Sequence, residues 1–504
     1  MRRPFKDALL FLCVCILLTT GLTASPAAAT DKPTPLTVFG NLVVELQASD
    51  LAVFKKLEEM TNTELDIQIP PSSNYDEALT IMMASGDYPD IALFGSHTNR
   101  AFLDGVADGA IIPVNEYIEN CPNLMAYTYP VSWKTLKVMG DDNIYGIPRT
   151  SIARADGFLV RQDWLDTLGI EITEGKPVSL EQFTDILKQF TENDPDGNGV
   201  RDTYGLGLNA DAEGNILPPG EIGWAFGVIG WQEYDNEPYD YMHLQYSQVN
   251  DNYKRLLEYV NMLYTNQWID PDWPVNNNDV RLQRFIQGKT GSRGEFAGWL
   301  PDHEAQAQAI NPDAKVSYIV GITMEGADMV TGGSFSTGFW GQWALFSTSE
   351  APQKAVDLLD FILSDDFWGT AKYGLEGSAW EYDADNNMIA IPNSQYNAPR
   401  NLVRRNNDPG FFVGLATAVD NRQRIEDLIG ACIKQAVFSK DEGFRPAIAN
   451  DPAFIDAQKE YNVTISKIVA GELPLDAYDA ALEKWYASGG QTYIEQMNAG
   501  ILAN

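Results

Sequence analysis

The sequence predicts an α/β protein whose first part holds a parallel sheet covered by helices. Two observations lead to this class. Residues 36–112 alternate short apolar strands and amphipathic helices in the order βαβαβ, and that order returns parallel strands to one sheet. The rest of the 504-residue chain carries mainly helical patterns and segments rich in Gly and aromatic residues. A chain of this length and composition predicts two or three domains.

The elements of this first part are short and regular. The strands are PLTVFG, LDIQI and DIALFG, and the helices between them are DLAVFKKLEEM and YDEALTIMMASG. In the second helix Leu79, Met82 and Met83 share one face, and Gly86 stands where a helix C-cap belongs. Ligands of parallel sheets bind at the carboxyl ends of strands. The loops FGNL, FGSHTNR and GIPRTS are therefore expected to lie near a site.

A second pattern begins near residue 149. In SLEQFTDILKQF, Ser179 and Gln182 form a capping box ahead of an apolar stripe at helical spacing. Residues 205–300 are rich in Gly, Trp and Tyr, residues 351–364 predict another helix, and the last hundred residues are mainly helical in pattern.

The N-terminus predicts export. A basic start, an apolar run of about fifteen residues and an A-x-A site ending at Ala29 have the layout of a secretory signal peptide over residues 1–29. The alternative is a retained anchor, but the run is short of the roughly 20 residues that a spanning helix needs. Cys13 and Cys15 lie within this leader and lack the preceding small residue of a lipidation site. Outside it, Cys121 and Cys432 could form one long-range disulfide or two buried thiols.

The chain is strongly acidic, with 35 Lys and Arg against 70 Asp and Glu and a net charge of −35. Such a surface repels nucleic acid and attracts divalent cations. We therefore expect no nucleic-acid partner.

The stretch DPDGNGVRDTYG at 194–205 is the opening half of a calcium loop. Asp194, Asp196 and Asn198 alternate and Gly199 follows, but the twelfth position is Gly205 instead of the usual Glu. The alternative is a Gly-rich turn that ends a helix and binds no metal.

Catalytic signatures are sparse. The chain has three His, HEAQA at 303 lacks the second His of a zincin, and neither G-x-S-x-G nor a phosphate-binding P-loop occurs. A glycosidase needs two carboxylates about 5–10 Å apart, and the sequence does not locate such a pair. We expect a protein that is not an enzyme.

Several segments together resemble one family. They are YDEALTIMMASGDYPDIALFG (75–95), IYGIPR (144–149), LVRQDWLDTLGI (159–170), SLEQFTDILKQFTENDPDGNGVRDTYGLG (179–207), FIQGKTG (285–291), KYGLEGSAWEYD (372–383) and GGQTYIEQMNAGI (489–501). In their order and spacing they resemble the extracellular solute-binding proteins of bacterial ABC transporters. They are most similar to the large family 1 members that bind sugars and oligosaccharides, including calcium-containing alginate-binding members.

The resemblance implies a periplasmic-binding-protein fold of type II-like form, with two α/β lobes around a ligand cleft. The chain would cross between the lobes near Pro148, Gly332 and Gly377. Lobe one would then comprise 36–148 and 333–375, and lobe two 149–332 and 376–504, which would hold the calcium loop at 194–203.

The resemblance also implies function. The protein would be a monomer that captures a carbohydrate by cleft closure and delivers it to membrane permease subunits. A structural calcium would bind the side chains of Asp194, Asp196, Asn198 and Asp202 and the carbonyl of Val200. Thr203 stands where those members have an acidic residue. The alternatives are a secreted glycoside-active enzyme and a calcium-dependent sugar sensor without transport.

Sugar binding needs aromatic faces for pyranose rings and planar polar groups for hydroxyls. Five tryptophans in Gly-rich segments are candidates, and each could instead be a core residue; Asp163 and Trp164 could instead begin a helix, and Glu376 and Glu381 could be solvated. The expected contacts are Arg149, Asp163, Trp164, Trp224, Trp231, Trp299, Trp340, Glu376, Trp380 and Glu381.

Overall fold

The computed structural model describes residues 32–71, 74–139, 141–153, 156–234, 238–324, 338–392, 398–415, 417–441 and 444–503. The expected signal peptide at 1–29 and the expected crossing at Gly332 lie outside these residues. Among the described residues no helix combines the length and the apolar character needed to cross a membrane.

The described residues form fifteen strands. They are β1 (Thr34–Phe39), β2 (Thr63–Gln68), β3 (Ile91–Phe94), β4 (Ile147–Thr150), β5 (Gly157–Arg161), β6 (Val178–Ser179), β7 (Tyr204–Leu206), β8 (Trp231–Glu233), β9 (Tyr241–His243), β10 (Thr290–Glu295), β11 (Val316–Ile319), β12 (Ile322–Thr323), β13 (Phe339–Leu345), β14 (Trp380–Tyr382) and β15 (Met388–Ala390).

Eighteen α-helices lie in the same described ranges. They are α1 (Ala48–Thr61), α2 (Tyr75–Ser85), α3 (Arg100–Ala107), α4 (Asn115–Ile118), α5 (Pro122–Tyr127), α6 (Pro130–Lys134), α7 (Gln162–Leu168), α8 (Leu180–Glu192), α9 (Gly220–Gly223), α10 (Asn252–Thr265), α11 (Asn278–Ile286), α12 (Leu300–Gln308), α13 (Pro352–Ile362), α14 (Trp368–Tyr373), α15 (Val419–Gln435), α16 (Pro452–Val469), α17 (Ala477–Trp485) and α18 (Gln491–Ala503).

The first sheet has the strand order β2-β1-β3-β13-β4. Strands β1, β2 and β3 are parallel, as the βαβαβ pattern predicts, and β13 runs antiparallel between β3 and β4. Alternate residues of β3 enter two different cores: Ile91 and Leu93 pack with α1 and α13, while Ala92 and Phe94 pack with α2 and α3. Burial on both faces explains why this strand is apolar at every position.

The second sheet has the order β11-β5-β10-β7. Strand β5 is antiparallel to β10 and β11, and β10 is parallel to β7. Phe158 and Val160 of β5 enter the large core that also contains α8, α10 and the C-terminal helices, whereas Leu159 packs toward α12 and α15. The second half of the chain is therefore built around its own sheet.

Helix α8 begins as the sequence predicts. Ser179 is the N-cap, and its hydroxyl accepts a hydrogen bond from the backbone N–H of Gln182 at 3.0 Å. The Gln182 side chain donates to the carbonyl of Glu171, so the reciprocal half of the capping box is replaced by a contact with the preceding loop. The apolar stripe is buried, and this face anchors the segment that leads into residues 194–203.

The segment 398–411 packs on the first sheet. Ala398, Leu402 and Phe411 belong to the core of α1 and α13. Asp408 fixes the segment because it accepts hydrogen bonds from the indole of Trp368 at 2.8 Å and from Lys372 at 2.9 Å, both on α14. These residues follow the expected crossing at Gly377, so the packing bears on where the lobes divide.

Candidate ligand cleft and metal loop

The two sheets adjoin where the chain passes between them. Strand β4 ends at Thr150 and β5 begins at Gly157. The backbone N–H of Ser151 donates to the carbonyl of Gly338 at 2.8 Å, so the later passage returns beside the first. Gly338 has φ of +76°, and a Cβ there would lie 2.3 Å from the Ser151 carbonyl oxygen. Only glycine fits this approach.

Phe412 marks a third connection. Phe411 packs in the core of the first sheet and Val413 in a core of the second, and Phe412 contacts both. The ring of Phe412 meets Phe296 edge to face, with 5.1 Å between centroids. Phe296 directly follows the last strand residue of β10. The described ends of the first and third passages, Gly157 and Phe412, therefore both lie beside the end of β10.

The first wall of the candidate cleft is the carboxyl edge of β1, β3 and β4 together with the start of β13. Trp340 of β13 is 40% exposed there. Arg149 of β4 is half-buried, and its Nε donates to the carbonyl of Asn401 at 2.7 Å. A surface pocket of about 430 Å³ opens at the same edge, between the loop at 42–47 and Asn401.

The second wall is the end of β10, where Glu295 pairs with Gly157 at the start of β5. Trp299 follows in a short helical turn, is 52% exposed, and stacks on His303 with planes 16° apart. Arg293 of β10 lies beneath this edge and is almost fully buried; its Nη2 bonds Glu295 at 2.7 Å. An exposed aromatic face thus stands on each wall.

Three of the expected tryptophans lie in the interior. Trp164 and Trp231 are 2% and 4% exposed in the core of the second sheet, and Trp224 is also buried. Asp163 forms a bidentate pair with Arg161, at 2.8 and 2.6 Å, and the Arg161 guanidinium covers Trp164. This arrangement fixes β5 to α7. We therefore leave these four residues out of the proposed site.

Glu376, Trp380 and Glu381 lie on a hairpin formed by β14 and β15. Trp380 is partly exposed, donates from its indole N–H to the carbonyl of Gly374 at 3.1 Å, and meets Tyr382 edge to face. Both glutamates are exposed. Arg422 of α15 donates to the carbonyl of Met388, so the hairpin is tied to the second half of the chain.

The sequence interpretation did not select Asn401 and Arg404. Asn401 ends a short helical turn, and its Oδ1 accepts from Arg404 at 2.7 Å while its carbonyl accepts from Arg149. Its Nδ2 donates to the carbonyl of Leu42. A run of arginines in NAPRNLVRR at 397–405 was the signal in this acidic chain.

Burial lowers the pKa of both guanidinium groups. For Arg149 the opposing effect comes from Tyr75, and for Arg404 the charges of Arg149 and Arg400 lower the pKa further. A guanidinium nevertheless stays protonated near neutral pH. The lowered pKa values reflect burial first and, for Arg404 alone, the positive charges beside it.

The loop at 194–203 is closed by hydrogen bonds to its first aspartate. The carboxylate of Asp194 accepts from the backbone N–H groups of Asn198 at 3.1 Å and Gly199 at 2.9 Å. The Asn198 amide nitrogen lies between Asp196 at 2.8 Å and Asp202 at 3.1 Å. Burial and the adjacent Asp194 and Asp202 raise the pKa of Asp196. A cation would relieve this crowding of carboxylates.

Other contacts limit the ligand set. Among the described residues no group of three or more Asp, Glu, His or Cys side chains is gathered closely enough to hold a metal. The Thr203 hydroxyl is buried and donates to the carbonyl of Phe190 at 2.8 Å. A Cβ at Gly205 would lie 2.5 Å from the Leu187 backbone, which explains the missing twelfth-position Glu.

A family model for bacterial extracellular solute-binding proteins matches residues 42–367, well over half of this chain. The chain belongs to that family. The polygalacturonan/rhamnogalacturonan-binding protein YtcQ of Bacillus subtilis (strain 168) is 26% identical, with 94% of this chain and 92% of YtcQ covered.

Two solved structures are similar to the structure of this solute-binding protein. Alginate-binding protein AlgQ2 without calcium ion matches with a TM-score of 0.62 at 18% identity, covering 94% of this chain and 98% of AlgQ2. The Streptococcus pneumoniae ABC-transporter substrate-binding protein FusA, as an EF-hand mutant in complex with fructo-nystose, matches with a TM-score of 0.61 at 18% identity, covering 93% of this chain and 99% of FusA. These likenesses confirm the expected two-lobe α/β fold.

The two cysteines of the solute-binding protein are both free and buried. Cys121 belongs to the core of the first sheet and Cys432 to a core of the second. Of the two alternatives open from the sequence, the structure therefore shows two buried thiols.

Proposed function

We propose that this solute-binding protein captures an oligosaccharide between its two lobes and delivers it to the permease of an ABC importer. The observation that carries the proposal is the pair of exposed tryptophans, Trp340 and Trp299, at the edges of two sheets joined by three chain passages. Aromatic faces of this kind stack on sugar rings. The relatives named for polygalacturonan, alginate and fructo-nystose support a carbohydrate ligand.

The proposed lobes follow the packing of the two sheets. We assign the described residues of 32–150, 339–375 and 398–411 to lobe one, and those of 157–324 and 413–503 to lobe two. The first passage then falls a few residues after Pro148, and the third falls at Phe412 instead of Gly377, because 398–411 packs on lobe one. The short passages suit a hinge that lets the lobes close on a ligand.

A calorimetric and scattering experiment tests capture by closure. The mature protein would be titrated with a panel of neutral and acidic oligosaccharides, and small-angle scattering would follow any binder. We expect saturation with one sugar class and a smaller radius of gyration in the complex. No heat with any sugar, or binding at an unchanged radius of gyration, would contradict the proposal. The sugars recovered unchanged after overnight incubation would separate a binding protein from a glycoside-active enzyme.

We propose that calcium binds the loop at 194–203 and stabilises lobe two. Asp194, Asp196, Asn198, Asp202 and the carbonyl of Val200 would supply oxygens toward the about 6–8 that calcium takes, with water completing the shell. Binding requires the Asn198 amide to turn its oxygen inward, since its nitrogen now contacts Asp196 and Asp202. Thr203 is left out because its side chain bonds Phe190.

The proposed site of action is outside the cytoplasm. The family is extracellular, and the leader at 1–29 has the pattern of a cleaved signal ending at Ala29. We propose that the mature protein acts as a monomer and contacts the permease only when loaded. Mass spectrometry of the secreted protein would locate its first residue.

A further inference from the structure

An arginine cluster occupies the first wall of the cleft. Arg149 and Arg404 both bond Asn401, the first to its carbonyl and the second to its side-chain oxygen. Arg400, one residue before Asn401, shares the ring of Phe411 with Arg404: the guanidinium carbons lie 4.2 and 4.7 Å from its centroid. Stacking on an aromatic ring holds a guanidinium without neutralising it.

Among the described residues, neither Arg149 nor Arg404 has a carboxylate partner. Arg149 donates only from Nε, and Arg404 only from Nη2, while the buried Nε of Arg404 has no hydrogen-bond partner in that part of the chain. The charged neighbours that influence Arg404 are Arg149 and Arg400. Arg149 and Arg404 therefore present donors that the described residues leave unused.

Several other arginines in this molecule pair with a carboxylate. Arg405, the next residue along, pairs with Asp365 at 2.7 Å. The recessed Arg161, Arg293 and Arg424 pair with Asp163, Glu295 and Glu174 respectively. A chain with twice as many acidic as basic residues offers partners in plenty, yet none of the described ones reaches Arg149 or Arg404.

We propose that the ligand is an acidic oligosaccharide and that Arg149 and Arg404, positioned by Asn401, bind a uronate carboxylate. The inference rests on the proposed function and narrows its ligand class. A carboxylate has two coplanar oxygens that match the guanidinium fork. Trp340 lies on β13, the strand next to the β4 strand that carries Arg149, so one wall offers a ring face and a charged fork to the same sugar chain. The similarity to a protein named for polygalacturonan is consistent with this chemistry.

The test compares an acidic trisaccharide with its methyl ester, in which each carboxyl group loses its charge and gains a methyl group. Trigalacturonate and its fully methyl-esterified form would be titrated by calorimetry into the parent protein, with trimannuronate and a neutral fructo-oligosaccharide alongside. We expect the free acid to bind at least about 100-fold more tightly than the ester, since charge-assisted hydrogen bonds are lost on esterification. This comparison needs no variant and so does not depend on folding.

Variants then test whether Arg404 binds the carboxylate of the ligand. Arg404→Gln should weaken binding of the free acid by roughly 10–100-fold, and Arg404→Lys by less, because a lysine keeps the charge and loses the fork. Lys484→Gln is the matched control, since it removes one positive charge from the exposed pair between Lys484 of α17 and Glu460 of α16. The control should bind trigalacturonate as the parent does.

Each outcome has one meaning. Equal binding of acid and ester, or binding of neutral sugars alone, would overturn the acidic-ligand inference and leave the proposed function standing. Unchanged affinity in a folded Arg404→Gln variant would overturn the assignment of the subsite. No binding by any sugar would overturn both.

Discussion

Lys289 Nζ lies 2.5 Å from Asp202 Oδ2, so an ammonium group holds a carboxylate of the proposed calcium loop. The hydrogen bond from Lys289 lowers the pKa of Asp202. Both side chains are more than a third exposed, and such pairs contribute little to stability. At the proposed calcium site, the metal would compete with Lys289 for this oxygen at small cost to the fold.

Replacing Lys289 should strengthen calcium binding. Lys289→Met removes the competing cation and keeps the length of the side chain. We expect calcium affinity to rise by roughly threefold to tenfold, because an exposed ion pair contributes about 0.2–1 kcal/mol and a nearby positive charge repels the metal. Isothermal titration with calcium after chelator dialysis measures this. A lower affinity in the variant would show that Lys289 assists the site.

Removing calcium should lower the melting temperature. A metal that binds only the folded state adds about 2.7 kcal/mol at 100 times its Kd. Asp196→Ala should melt lower than the parent in calcium and should not respond to EDTA. Asp185→Ala, on the exposed face of α8 ahead of the loop, is the control that should respond as the parent does. The parent protein could instead contain no bound metal and have the same melting temperature with and without EDTA. That result would show that the loop is a turn that does not bind calcium.

The exposed tryptophans should carry much of the sugar affinity. Trp340→Ala and Trp299→Ala should each weaken binding by roughly 1–3 kcal/mol, by analogy with other aromatic anchors. Trp268→Ala is the control, because Trp268 bonds Glu192 near the metal loop instead of the cleft. Calorimetry with the best sugar, and circular dichroism for folding, give the answer. Parental affinity in both cleft variants would assign these rings a structural role.

Acid should destabilise the protein through His243. Burial lowers its pKa to about 4, and its Nδ1 accepts from the backbone N–H of Gln245 at 3.3 Å. The unfolded chain takes up the proton near pH 6.5, so stability is lost as the pH falls from about 6.5 toward 4. The parent should lose about 2 kcal/mol between pH 6.5 and 4.5 through this residue alone. His243→Gln should lack this component in urea unfolding at the two pH values, whereas a parallel loss in both proteins would contradict it.

The two thiols should be unreactive in the native protein. Burial raises the pKa of Cys121 and Cys432 to about 12, so little thiolate forms at pH 8, and both side chains are about 1% exposed. Native protein should not react with a disulfide reagent that releases a coloured thiol. In denaturant, two thiols per chain should react. Rapid reaction of one thiol without denaturant would show that local opening of the native structure exposes that cysteine.

Local signals predicted much of this fold. Ser179 and Gly86 begin and end their helices as expected, because a cap depends on neighbours within four residues. The third passage, which we propose at Phe412, is not visible in local patterns. The glycines of GLEG form a turn that leads into β14, and Asp408 holds the segment 398–411 to α14. That contact joins residues 40 positions apart, beyond the reach of local pattern.

The candidate site also depends on long-range packing that local sequence patterns do not predict. Aromatic composition predicts a sugar site, but only tertiary packing separates the exposed Trp340 from the core Trp164. The arginine run at 400–405 is visible in the sequence, yet the pairing of Arg405 with Asp365 and the absence of a described acid beside Arg404 depend on distant elements. The sequence shows where arginines occur, but it does not show which of them lack a carboxylate partner.

If the chain is exported as proposed, the central position of β13 affects how it folds. This strand fills the gap between β3 and β4, although nearly two hundred residues separate it from β4 in the chain. A nascent chain that has cleared the translocation channel only as far as residue 338 thus holds two strands with no partner on their facing edges. Such edges aggregate unless they are shielded, and long-range pairing is slow. Folding of the first sheet therefore depends on a strand that emerges late, and the facing edges of β3 and β4 stay open to other chains until it pairs.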